Sequence, residues 1–270
     1  MQRVIAANPY CLSLPETAFF LKLLGRRHDG KLLRRFVVPE WRIRKAFRAL
    51  HTASPEELAI PSMPSIGGYL PTRWAADRFV AHLDGLARRA GKSAWVEKTP
   101  RHYRHVRTMQ SLVKDAHVIH MIRDGEAMVG SMLDRARKNP QSFGQREGVQ
   151  FAVNIWNEAI NHALSDARSG RAVVVSYEDL AIKTESVARG VCDLLAIDFS
   201  PNMISDNDAV ARIVRPEETW KEELSQRIEK KESKLDALVS PEEKLEISNS
   251  LDYETYNKLS AYKVVGDAAE

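Results

Sequence analysis

The 270-residue sequence has only two cysteines, Cys11 and Cys192, far apart and in no metal-type spacing. That excludes a disulfide framework and a cysteine zinc site, and both thiols read as reduced, half-buried packing residues. No apolar run approaches the roughly 18 residues that a membrane span requires. The opening segment MQRVIAANPYCLSLPETAFF lacks the basic stretch and long apolar core of a secretory leader. The expectation is a soluble, cytoplasmic protein with no membrane partner. Internal repeats and low-complexity linkers are absent too, so residues 1–270 read as a single domain. Neither sign of charge dominates: 40 Lys and Arg face 36 Asp and Glu, a net +4 that suits an anionic ligand without requiring one.

What is present is globular material, 44% hydrophobic and 28% charged, in alternating strand-like and helix-like stretches. Two segments, SPEELA from Ser54 and SPEEKLEISNSL from Ser240, each set a serine N-cap before a proline. Each has a capping-box glutamate, Glu57 or Glu243, and so predicts a helix start. WAADRFVAHLDGLARRAGK has apolar residues at helical spacing and Gly91 as its stop. SAWVEK from Ser93, HVIHMI from His117 and AVVVSY from Ala172 read as strands, each followed by a polar turn. Alternation of strands and helices predicts an α/β fold whose parallel sheet binds ligands off the carboxyl ends of its strands. Lys98 and Thr99, Arg123 and Asp124, and Tyr177 and Glu178 occupy those positions.

In DAHVIHMIRDGEAMVGSML, Arg123 leaves a strand, Gly125 permits a turn and Ser131 lies in the first turns of the next helix. Backbone N–H groups, the helix dipole and the arginine fork would converge there on a phosphate; the alternative is a solvated surface turn. In WVEKTPRHYRHV, Thr99 would cap a helix whose first residue is Pro100, holding Lys98 at the sheet edge; alternatively Lys98 is a solvated charge. His102 and His105 have a spacing compatible with metal, but no third ligand accompanies them, so no metal is expected and both are expected to face water or to support the loop. Glu16 precedes an apolar helix start, as a carboxylate favoured by the dipole or as a general base.

The basic run GRRHDGKLLRRFVVPEWRIRKAFR interleaves cations with apolar residues, the pattern of an amphipathic helix with a solvated basic face, and no nucleic-acid partner is expected. KEELSQRIEKKESKLDALVSPEEK reads as a solvated helical face. Oligomeric state is left open.

Taken in order, these segments resemble the PAPS-dependent sulfotransferases, in particular a bacterial branch similar to tyrosylprotein sulfotransferase. ANPYCLSLPETAFF resembles the family's His-Pro…Glu-Thr segment, WVEKTPRH its Lys-Thr-Pro segment and VIHMIRDGEAMVGSML its 3′-phosphate segment. VVVSYEDLAIKTESVARGVCDLLAID resembles its Tyr-Glu-Asp-Leu strand and helix, while IVRPEETWKEEL, with Trp220 and Lys221, and SLDYET resemble closing segments. The resemblance implies a P-loop-type parallel sheet flanked by helices with a helical C-terminal part. It implies PAPS as co-substrate and PAP as product, with transfer to a hydroxyl or amine of an acceptor whose class stays open. It assigns Glu16 to the acceptor's proton, Lys98 to the phosphosulfate bridge, Arg123 and Ser131 to the 3′-phosphate and Tyr177 to the nucleotide. The family's Arg-Ser-Gly-Thr-Thr type phosphosulfate loop and its strand are missing from these residues and are expected immediately upstream of Met1. Retention of Glu16, Lys98 and Arg123 favours a longer native chain; the alternative is a catalytically impaired PAP-binding or partner-binding protein on the same fold.

Overall fold

The computed structural model describes residues 1–25, 32–53, 68–143, 148–206 and 232–264. The chain forms two compact units, one from residues 1–117 and 188–227, the other from 118–187 and 228–270. The helix expected from Ser54, and Trp220 and Lys221, lie outside the described residues.

In the first unit the chain runs α1 (Gln2–Ala6), β1 (Cys11–Ser13), α2 (Phe19–Leu24), β2 (Val37–Pro39), α3 (Glu40–Ala53), β3 (Tyr69–Pro71), α4 (Thr72–Arg89), β4 (Ala94–Val96) and α5 (Val106–Leu112). Strands β1 and β4 pair in parallel, Leu12 opposite Trp95. Strands β2 and β3 pair antiparallel. Helix α4 buries Ala75, Ala76, Phe79, Leu83 and Ala87, the stripe expected of its spacing. It stops where the sequence indicated. Gly91 has φ of 67°, its N–H donates to Arg88 and the Lys92 N–H reaches back to Ala87, the two bonds of a Schellman ending.

The core of this unit is aromatic. Phe19 stacks on Phe79 at 4.2 Å and meets Phe47 edge-on at 5.3 Å, while Phe20 meets Phe79 at 5.3 Å. The start of α2 is thereby anchored, and the loop before it leaves from a fixed point. Cys11 and Cys192 are almost fully buried, at 4% and 1% exposure, deeper than the half-buried state their composition suggested. Burial pushes both thiols up, Cys192 to about 11, so neither offers a reactive thiolate.

The second unit contains β5 (Ile119–Ile122), α6 (Gly125–Lys138), α7 (Pro140–Phe143), α8 (Val149–Arg168), β6 (Val173–Ser176) and α9 (Tyr177–Ile182). Helix α10 (Thr184–Leu195) carries the chain back to the first unit, which also holds α11 (Asn202–Ser205); α12 (Pro241–Ser250) and α13 (Tyr253–Lys258) complete the second. Strands β5 and β6 pair in parallel from Ile119–Val173 to Ile122–Ser176. Mixed α/β architecture with parallel ladders and a helical C-terminal part is therefore what these residues build. The capping box at Ser240 forms with both of its bonds.

Glycine has a different use in this unit than the turn expected of it. Gly125 keeps a negative φ, but a Cβ there would lie 2.9 Å from a Leu251 methyl and 3.1 Å from the Trp156 ring. Close packing against α8 and the end of α12 excludes a side chain. Among the described residues no helix is long and apolar enough to cross a membrane.

Candidate functional site

Each unit holds one parallel strand pair, β1–β4 in the first and β5–β6 in the second, and the residues of interest follow the carboxyl ends of these strands. Glu16 follows β1, Lys98 follows β4, Arg123 follows β5 and Tyr177 follows β6. In a parallel arrangement the strand ends are where backbone partners run out and side chains become available to ligands.

Within the first unit, Lys98 Nζ pairs directly with Glu16 Oε1, joining two residues 82 positions apart. Both side chains stay reachable, 39% and 29% exposed. Glu16 lies two residues before the Ala18 N-cap of α2, ahead of the helix start as the sequence suggested. The reason is β1, a strand too short to show in the sequence pattern, which uses residues 11–13 and leaves Leu14 to Ala18 as a loop.

Beneath this pair is a buried carboxylate. Glu97 Oε1 accepts from the Thr17 N–H at 3.2 Å, the Thr17 hydroxyl at 2.7 Å and the Thr99 hydroxyl at 2.8 Å. Its Oε2 lies 2.9 Å from His102 Nδ1. Nε2 of the same ring accepts the Leu21 N–H at 3.3 Å, so Nδ1 carries the proton that Glu97 receives. Burial by itself would raise the Glu97 pKa, but His102 and the two threonine hydroxyls outweigh it and bring it down to about 2. Thr99 does not cap its own helix. That segment, Pro100–His105, is a 3-10 helix, and the Thr99 oxygen instead accepts the Ala18 N–H at 3.0 Å. His102 and His105 are both buried, and His105 Nε2 sits 2.7 Å from the Gly25 carbonyl oxygen. They support the loops and do not face water.

Because the folded pKa of Glu97 is depressed from 4.5 to about 2, its contribution is full above pH 4.5 and disappears as pH falls towards 2. Glu97→Gln is expected to be less stable than wild type at pH 7 in urea unfolding, with the gap closing between pH 4.5 and 2. A gap independent of pH would contradict the assignment.

In the second unit, the Arg123 guanidinium lies 4.5 Å from the centroid of the Tyr177 ring. The Arg123 carbonyl accepts the Trp156 indole N–H at 2.9 Å, which fixes its backbone. Asp124 caps α6 by accepting the Ala127 N–H at 2.9 Å. Its own N–H goes to Glu178 Oε1 at 3.0 Å, and the Glu126 N–H goes to the Tyr253 hydroxyl at 3.3 Å. Tyr253 in turn donates to Asp124 Oδ2 at 3.0 Å. The sequence reading supposed a helix end with N–H groups aimed at an anion. The structure corrects this, because carboxylates and a phenol already take three of those donors. With those three donors taken, side chains become the main means of holding an anion here. Arg123 supplies a fork braced on an aromatic face, and Ser131 is exposed on α6, roughly 9 Å along the helix axis from Gly125. An arginine fork has the shape to take a phosphate.

The structure thus brings Glu16 to Lys98 and Arg123 to Tyr177, each pair within one unit. Glu97, Thr17 and Tyr253 had no role in the sequence reading. Thr17 meets Glu97 across 80 positions and Tyr253 meets Asp124 across 129, so no local spacing could have marked those pairings.

The model of the sulfotransferase family matches residues 1–201. Among curated proteins no match was found. Among solved structures, the chain is similar to the sulfotransferase domain of the Synechococcus PCC 7002 olefin synthase, with 19% identity and a TM-score of 0.55 over 97% of this chain and 88% of that one. A sulfotransferase domain from the curacin biosynthetic pathway matches 75% of this chain and 71% of its own length, at 14% identity and a TM-score of 0.48. The first likeness establishes the fold.

Proposed function

The chain belongs to the sulfotransferase family, and from that premise we propose that it transfers a sulfuryl group from PAPS to a hydroxyl or amine of an acceptor and releases PAP. PAPS supplies the activated sulfuryl group. The observation that carries the reading is the pairing of Lys98 with Glu16 at the carboxyl ends of β4 and β1. It puts a fixed cation and a carboxylate side by side.

As the bond from sulfur to the bridging oxygen breaks, its electron pair and negative charge move to that oxygen. The Lys98 ammonium, held at the strand end, stabilises this charge more than the ground state. Glu16 accepts the proton of the acceptor as the new bond to sulfur forms. Arg123 and Ser131 hold the 3′-phosphate, the group that separates PAPS from ordinary adenine nucleotides, and Tyr177 lies beside the nucleotide. No metal enters these steps. Within this reading the protein works in the cytoplasm, in keeping with its two free, buried cysteines.

The test is to incubate the protein with PAPS carrying radioactive sulfur and a panel of sugar, lipid, peptide and small hydroxyl or amine acceptors. Label in an acceptor together with an equal amount of PAP is the expected result. A folded sample that binds PAP and labels no acceptor would overturn transfer and favour a non-catalytic PAP-binding protein.

A further inference from the structure

The residues around the Lys98–Glu16 pair are tied together far more tightly than the pair itself. Three donors reach Glu97 Oε1 and the His102 ring reaches Oε2, and all of these groups are buried, Thr17 at 0% exposure and Thr99 at 8%. The same residues also replace the missing cap of α2. Its N-cap is Ala18, which has no side chain able to accept a bond. The Thr99 oxygen takes the Ala18 N–H, the Thr17 oxygen takes the Phe19 N–H at 3.2 Å and the His102 ring takes the Leu21 N–H. Ala18 is held with φ of 50°, a left-handed conformation costing an alanine about 1 kcal/mol. The loop keeps that geometry because its bonds to the other segment require it.

Each half of this network is a direct chain neighbour of a site residue. Thr17 follows Glu16; Glu97 and Thr99 flank Lys98. We propose that Glu97, Thr17, Thr99 and His102 form a positioning cluster that sets the register of the Glu16 loop against the end of β4 and so presents Glu16 to Lys98. The proposal deepens the transferase reading and rests on it for its catalytic meaning. Its geometric content stands on the structure alone. A glutamine at position 97 shows why the charge matters. Its amide N–H would face either His102 Nδ1–H or, with the amide turned over, the Thr17 N–H, a donor opposite a donor in both cases.

The test uses Thr17→Val and Thr99→Val, which keep shape and remove one hydroxyl each, with Thr17→Ser and Thr99→Ser restoring it. Circular dichroism melts set a working temperature at which all four are folded. Lys98 is then labelled with a water-soluble amine-acylating ester in the absence of nucleotide, and its rate is compared with that of Lys92 in the same chain by mass spectrometry. The valine variants are expected to raise the Lys98 to Lys92 ratio about threefold as the ion pair loosens, and the serine variants to return it to the wild-type value. In the transfer assay kcat is expected to fall roughly 10-fold or more in the valine variants with KM for PAPS unchanged. An unchanged labelling ratio in both valine variants would overturn the proposal, whatever happens to kcat or melting temperature. If wild type transfers nothing, the catalytic reading fails, while the labelling ratio still decides whether the cluster positions the pair.

Discussion

Lys98→Ala is expected to lower kcat for sulfuryl transfer by about 10²–10³-fold, the scale on which removal of one preorganised charge acts in a transition state. The lysine has no alternative neighbour in its own segment, because Glu97 turns inward and Thr99 is committed to Glu97 and Ala18. KM for PAPS should change less than kcat, since the charge is needed most where the bridging oxygen becomes negative. Glu16→Gln keeps the shape of the carboxylate and loses its basicity, and the expected loss is about 10²–10⁴-fold. Because the two side chains form an ion pair, their losses should not add, and the double variant should cost less than the product of the single effects. Folding should be little affected, as both side chains are partly exposed and exposed ion pairs contribute roughly 0–1 kcal/mol. Wild-type kcat in Lys98→Ala would remove the lysine from the mechanism.

Arg123→Ala carries the second large effect, a weakening of PAP binding by about 10²-fold in calorimetric titration. Two charge-assisted bonds from one guanidinium to a phosphate contribute roughly 1.5–3 kcal/mol each, and the Asp124, Glu126 and Ala127 N–H groups at the helix end cannot replace them because each already has a partner. The 3′-dephosphorylated nucleotide should bind wild type and variant almost equally. Arg123→Lys keeps the charge but loses the fork and the flat stacking on Tyr177, so it should recover only part of the affinity. The backbone should hold in both variants, since the Trp156 indole binds the Arg123 carbonyl and not its side chain. Equal affinity of wild type and Arg123→Ala for PAP would move the 3′-phosphate elsewhere.

Much of the frame was legible in advance. The strands at Ser93, His117 and Ala172 appear where β4, β5 and β6 form, because each is a short apolar run with polar ends. Gly91 and the Ser240 capping box act as read, since both signals are local chemistry within five residues. Other elements were not legible. β1 is three residues long and β2 and β3 likewise, too short for any period to register. The Pro100 segment became a 3-10 turn because Thr99, instead of capping it, was drawn into a bond network with a loop 81 positions earlier.

The candidate site divides along the same line. By itself the sequence determined which residue types stand just past the strands, a lysine, an arginine and a tyrosine, and a carboxylate in the Pro-Glu-Thr segment, because strand ends are set by local composition. Only the tertiary structure decided that Glu16 meets Lys98, that Arg123 rests on Tyr177, and that the start of α6 is closed by Asp124, Glu178 and Tyr253. Those pairings join residues 54 to 129 positions apart, or use one side chain where several compete. Hydrogen bonds and ion pairs fall off within a few ångströms, so which of many possible partners a polar group meets is settled by packing of the helices and strands that carry it, and no spacing along the chain encodes that distance.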